Sequence, residues 1–237
     1  MIEHSFTGSF IRTQYIDTDG TMSIDSIVKT LTKSVQSFTP PLIDIVSEEF
    51  GHDPFLILIA CLLSLRAKDT TTIHVCRDLF THARTPQALL AVPRAELERI
   101  VFRTGFYKTK ARVLHEVSQD LIERFNGRVP DTSSALLSIK GVGLKTAHLV
   151  VGCAFGKPAI CVDTHVHRIS NRLGLITTKT PEQTEEALRK VLPKKYWTVW
   201  NNLLVVWGQN VCVPLSPKCS QCSIRSECKR VGVKKSR

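Results

Sequence analysis

The chain has 237 residues, with 32 Lys and Arg against 21 Asp and Glu, a formal net charge of +11 and 43% hydrophobic residues. That length allows one or two domains with a sizeable core, and no apolar run is long enough to span a membrane. The excess of base over acid points to a polyanionic partner. Met1-Ile2-Glu3-His4 does not open a basic targeting segment, so an intracellular setting is expected.

In chain order, residues 1–25 mix acids with bases and read as a variable, partly disordered tail. Helical patterns then dominate. Residues 26–37 carry spaced apolar positions. Residues 54–65 are a nearly all-apolar run, too long for an ordinary strand and best read as a buried helix. Further helices are expected over 71–80, 86–91, 93–101, 108–125 and 133–137, then over 144–155, 164–173, 181–191 and 197–208. Pro, Asp, Ser and Thr mark several of the starts. No alternating strand and no internal repeat is evident, so the expected fold class is all-α.

The segment Ile139-Lys140-Gly141-Val142-Gly143-Leu144-Lys145-Thr146-Ala147 carries the most information. Gly141 and Gly143 can adopt positive φ and let another backbone approach. The helix after them leaves its first N–H groups unpaired at the positive end of its dipole, a ready site for a phosphate. A tight helix–turn–helix without ligand is the bland alternative. Lys145 in the first turn opposes the dipole by roughly 0.3–1 kcal/mol. A solvated lysine tolerates that, but an amine nucleophile gains from it. Shedding the proton of an ordinary lysine near neutrality costs roughly 4 kcal/mol, so a catalytic reading also calls for a dry pocket or a neighbouring charge.

Eighteen residues after Lys145 comes Val162-Asp163-Thr164-His165. Asp163 is placed to cap the next helix, and a cap would fix its carboxylate on a rigid element. His165 and His167 do not share a helix face and read as ordinary polar residues.

Near the end of the chain, Cys212, Cys219, Cys222 and Cys228 are spaced Cys-x6-Cys-x2-Cys-x5-Cys. With no signal peptide, a metal site suits them better than disulfides. Zinc usually takes two short Cys-x2-4-Cys pairs. A single short pair with unequal flanks favours an iron–sulfur cluster on four cysteines, with zinc left open on spacing alone. Cys61, Cys76, Cys153 and Cys161 lie in apolar surroundings and read as inert core thiols. From Pro217 onward, Lys218, Arg225, Lys229, Arg230, Lys234, Lys235 and Arg237 face Glu227 alone. A metal-tied loop could present this charge to a phosphate backbone, with a solvated basic tail after Val233.

Gly-Val-Gly-x-Lys-Thr-Ala, Val-Asp-Thr-His-Val and the four-cysteine box together resemble the endonuclease III family, the iron–sulfur branch of the helix–hairpin–helix DNA glycosylases. The resemblance runs from about Ser26 to Arg230. It implies two helical domains with a cleft between them. Residues 47–157 would form a six-helix domain with the hairpin, residues 26–46 and 158–230 a cluster domain, and 231–237 a basic tail. It further implies a [4Fe-4S] cluster on the four cysteines. The partner would be double-stranded DNA with damaged bases or abasic sites, bound by a monomer without a membrane.

By that resemblance Lys145 attacks C1′ and forms a Schiff base, Asp163 assists, and β-elimination nicks 3′ to an oxidised pyrimidine lesion. Gly141, Val142 and Gly143 would hold DNA, helped by Lys218 and Arg225. Arg66 and Phe106 occupy the two wedge positions. Arg66 departs from the family's usual Gln, and Lys140 replaces the proline common before the hairpin. A thymine or uracil mismatch glycosylase is the first alternative, although such relatives often lack the lysine. Adenine-specific mismatch enzymes carry an extra C-terminal domain for which the chain leaves no room. A non-catalytic DNA-binding module is the second alternative and leaves the Lys145–Asp163 pairing as coincidence.

Overall fold

A computed structural model describes residues 23–237; the first 22 residues of the expected tail lie outside the described residues. Among the described residues every regular element is helical. The α-helices are α1 (Ile24–Val35), α2 (Leu42–Phe50), α3 (Pro54–Ser64), α4 (Asp69–His82), α5 (Pro86–Ala91), α6 (Arg94–Val101), α7 (Tyr107–Phe125) and α8 (Ser133–Leu137). They continue with α9 (Leu144–Phe155), α10 (Thr164–Leu173), α11 (Pro181–Val191) and α12 (Trp197–Asn210). Short 3-10 turns lie at Phe102–Thr104, Lys194–Tyr196 and Cys219–Gln221.

Two apolar cores organise these helices. The first gathers side chains from α2 to α9 around α3, in which Phe55 to Leu63 are all buried. Asp53 caps α3 with Oδ1, accepting from Phe55 N (2.8 Å) and Leu56 N (3.1 Å), and Pro54 opens the first turn. The second core gathers α1, α10, α11 and α12 with Ile224, around Trp200 and Trp207. The chain leaves the second core after α1 and returns to it between Ala159, which packs in the first, and Ile160, which packs in the second.

Helix α2 is absent from the expected elements, and it moves a boundary. Leu42, Ile43 and Val46 pack into the first core, so the crossing falls before Leu42 rather than at residue 47. Its apolar spacing is helical (42, 43, 46, 50), but the helix is short and comes directly after Pro40-Pro41. The start of α1 also corrects the expected tail. Ser23 caps it, with Oγ accepting from Ser26 N at 3.3 Å, so residues 24 and 25 are helix.

Candidate active site

The hairpin joins α8 to α9. Thr132 caps α8, and the chain turns at Gly141, whose φ of +97° lies in the left-handed region. A Cβ there would stand 2.7 Å from Val113 Cγ1, so both conformation and space demand glycine. Gly143 differs from expectation: it is extended, with φ −92°, and its side-chain direction faces open space. Val142 differs too. Its side chain is buried in the first core, which leaves only its backbone for a DNA contact. Lys140, Leu144 and Lys145 are exposed.

Lys145 is the second residue of α9, whose Thr146, Ala147, Val150 and Val151 are buried. The chain's own side chains therefore fix the helix while Lys145 itself remains exposed in the free chain. Asp163 is the N-cap of α10. Its Oδ1 accepts from His165 N (2.8 Å) and Val166 N (2.9 Å), which leaves Oδ2 free of the cap.

Two ties bring the two residues' segments together, and a third fixes the Asp163 side to α12. Cys161 Sγ lies 3.7 Å from the Lys145 carbonyl oxygen. His148 of α9 places Nδ1 2.8 Å from Ile160 O. Asn201 of α12 donates to Cys161 O at 3.1 Å. Both charges also reach the same neighbour. Burial lowers the pKa of His165, Asp163 opposes that shift, and Arg168 and Lys145 reinforce it. Lys145 and Asp163 thus share one neighbourhood between the two cores. His167 is occupied locally, with Nδ1 2.7 Å from Thr184 Oγ1.

Arg66 and Phe106, forty residues apart, meet. The Arg66 guanidinium lies 5.6 Å from the centre of the Phe106 ring. Both are exposed and both have left-handed backbones, with φ of 54° and 47°. Such strain in non-glycine residues clusters at functional sites. The two share a pocket with Gly141, which sets the expected wedges beside the hairpin.

All eight cysteines are free thiols. Cys212, Cys219, Cys222 and Cys228 line one cavity with Lys218 and Arg225. The buried Nε1–H of Trp207 has no hydrogen-bond partner, yet it lies close enough to Cys222 to favour that residue's thiolate. Burial pushes the Cys222 and Cys228 thiols up. Among the described residues no three His, Cys, Asp or Glu side chains sit close enough together to hold a single ion. The other cysteines match their expected core role: burial pushes Cys76 and Cys153 up to about 12. The expected solvated tail needs correction. Its side chains are exposed, but Arg237 N donates to Pro217 O (2.8 Å) and Ser220 N to Arg237 O (2.9 Å), pinning the chain end across the cysteine loop.

Residues 59–194 match the pattern of the HhH-GPD superfamily of base excision DNA repair proteins. Endonuclease III of Thermotoga maritima is 45% identical over 176 residues, which covers 74% of this chain and 83% of the relative. The chain belongs to the endonuclease III family. It is a base excision repair DNA glycosylase. Among solved structures, a trapped endonuclease III–DNA covalent intermediate with an estranged adenine superposes with a TM-score of 0.73 at 33% identity, covering 88% of this chain and 97% of that one. A thermostable thymine-DNA glycosylase gives 0.74 at 25% identity, covering 87% and 95%.

Sequence reasoning missed two groups of residues in this endonuclease III family member. Arg168 and Arg172, one turn apart on α10, clamp the cysteine loop. Arg168 Nη2 donates to Cys212 O (2.9 Å) and Gly208 O (3.2 Å), and Arg172 donates to Val213 O (2.8 Å) and Pro214 O (2.7 Å). Their four-residue spacing was visible, but not the loop they reach. Lys110 is buried although charged. Its spacing with Leu114, Val117 and Leu121 places it on the apolar face of α7, a signal that the sequence did carry.

Proposed function

We propose that this DNA glycosylase and AP lyase acts through Lys145 as nucleophile and Asp163 as its carboxylate partner, on oxidised or ring-fragmented pyrimidines. The observation that carries the reading is the contact of Cys161 with the Lys145 backbone, which ties the segment leading into the Asp163 cap to the first turn of α9. The neutral amine attacks C1′ of the extruded nucleotide, and the damaged base leaves with the C1′–N bond electrons. Asp163 takes up the amine proton or offsets positive charge on the sugar. The nitrogen lone pair then opens the sugar ring: the C1′–O4′ bond breaks, O4′ takes up a proton, and the C1′=N imine that forms acidifies the C2′ hydrogen. Loss of that proton expels the 3′ phosphate and nicks the strand, as covalent amine catalysis requires. Lys145 is exposed in the free chain, so bound DNA supplies its desolvation.

The backbone at Gly141 to Gly143 and the N-terminus of α9 hold a phosphate, while Phe106 fills the stack vacated by the flipped base. Arg66 offers two donors to the orphaned base and prefers guanine, which presents two acceptors. Comparing Arg66→Gln with the parent on a lesion opposite each base checks this: the guanine preference is lost, and an unchanged profile contradicts the assignment.

Cys212, Cys219, Cys222 and Cys228 hold a [4Fe-4S] cluster, a reading supported by four free thiols around one cavity and by the orphaned Trp207 N–H facing Cys222. These four residues would hold the cluster, which would crosslink the loop that carries Lys218 and Arg225. Lesion duplexes test substrate class. Release of oxidised pyrimidine coupled to nicking supports the reading, whereas removal of thymine opposite guanine without nicking supports the mismatch alternative, which the likeness to a thymine-DNA glycosylase keeps in view.

A further inference from the structure

Lys110 is a buried charge without a carboxylate. It is 8% exposed, and no acidic side chain pairs with it among the described residues. Its ammonium donates to two backbone carbonyls from distant parts of the chain: Leu63 O at 2.7 Å and Thr104 O at 2.9 Å. Leu63 lies in the last turn of α3, and Thr104 closes the 3-10 turn Phe102–Thr104. Both carbonyls sit at the negative end of a helical segment, where a cation is favoured.

Each carbonyl lies just upstream of a wedge residue. Arg66 stands three residues beyond Leu63, and Phe106 stands two beyond Thr104, both in left-handed conformations. Lys110 lines the same pocket as Arg66, Phe106 and Gly141. Burial lowers its pKa to about 8, so the charge is held against a desolvation cost. A methionine of similar length would fill this apolar space without that cost. Holding the two carbonyls is what the ammonium adds.

We infer that Lys110 is a positioning residue for lesion extrusion: one ammonium, shared between Leu63 O and Thr104 O, sets the exits of both wedge loops and holds Arg66 beside Phe106. It touches neither sugar nor base. The inference rests on the proposed wedge roles of Arg66 and Phe106. Base extrusion from a duplex needs both loops in register, whereas nicking at an abasic site in single-stranded DNA has no partner base to orphan. Lys110 therefore governs the first reaction and not the second.

The test compares Lys110→Met with the parent protein on two substrates. On a lesion duplex, single-turnover excision falls by about 10- to 100-fold, the scale of a small misplacement. Fluorescence of 2-aminopurine next to the lesion, which reports unstacking, falls with it. Nicking of a single-stranded abasic oligonucleotide stays at the parent rate. In a Phe106→Ala background, Lys110→Met adds little further loss on the duplex, because both changes disable one device. If Lys110→Met does not fold, Lys110→Leu, which likewise carries no donor, provides the same comparison. Parent-level duplex excision overturns the inference, as do equal losses on the two substrates or full additivity with Phe106→Ala. Failure of the parent protein itself to nick the abasic oligonucleotide instead contradicts the lyase reading on which the inference is built.

Discussion

The segments that carry Lys145 and Asp163 are tied to each other but are supported in different ways. Helix α9 is set by apolar burial: Ala147, Val150 and Val151 lock it against α3 within one continuous core. Helix α10 buries Val166, Ile169 and Leu173 on one side, while on the other Arg168 and Arg172 hold five carbonyl contacts and a sulfur in the 208–214 segment. Lys145 thus depends on packing that the chain completes alone. The carboxylate depends on a loop whose four thiols line one cavity, the proposed cluster site. Loss of the cofactor should therefore unsettle one partner and spare the other.

The largest expected effect separates capping from chemistry. Asn caps helices about as well as Asp, so Asp163→Asn should keep α10 and change stability by no more than a few tenths of a kcal/mol. Base excision should fall by about 100- to 10,000-fold, the range for a lost general acid–base group. Thermal unfolding together with single-turnover kinetics checks both halves, and a matched loss of stability would make Asp163 a cap only.

Next in size, Cys219→Ala should remove the cluster and loosen the loop without dissolving the first core. Hydrogen exchange should show rapid exchange over the 212–228 loop and α10 while α3 stays protected, as separable units do. Uniform exchange across both cores would erase the contrast between the two supports.

The smallest effect concerns the seam. Asp44 of α2 accepts from Asn202 of α12 at 3.1 Å. Burial raises its pKa, and His52 partly offsets the shift. A carboxyl with a raised folded-state pKa destabilises the native state once it ionises. That cost is present at neutral pH and vanishes as the pH falls through the raised value toward 3.8. Asp44→Asn, which keeps an acceptor for Asn202, should therefore raise Tm at pH 7, with the gap closing in acid. A gap that persists below about pH 4, the ordinary carboxylate range, would show that Asp44 acts by some other means.

The same contrast accounts for the parts of the molecule that were legible in the sequence. Helices driven by apolar periodicity were readable: α8, α9, α10 and α11 lie where the pattern put them. Lys145, Asp163 and the four cysteines stood out in the sequence because each sits in a short motif with its own physical logic; the fold ties the segments of the first two together and sets the cysteines around one cavity. Helix α2 was not read, since nine residues after Pro40-Pro41 give a weak signal. The surroundings of Lys145 were not legible: the sequence called for a dry pocket or a neighbouring charge, and the residue is exposed in the free chain. The Arg66–Phe106 contact, the Arg168 and Arg172 clamp and the Lys110 bridge join segments far apart in the sequence, or bind carbonyls that carry no side-chain signature.

Covalent attachment of DNA to Lys145 is the central claim. Borohydride reduction during reaction with abasic-site duplex, followed by proteolysis and mass mapping, tests it most directly. A stable protein–DNA adduct on Lys145, absent from Lys145→Ala, is the expected result; no adduct with the parent protein, or one mapped to another amine, would contradict it.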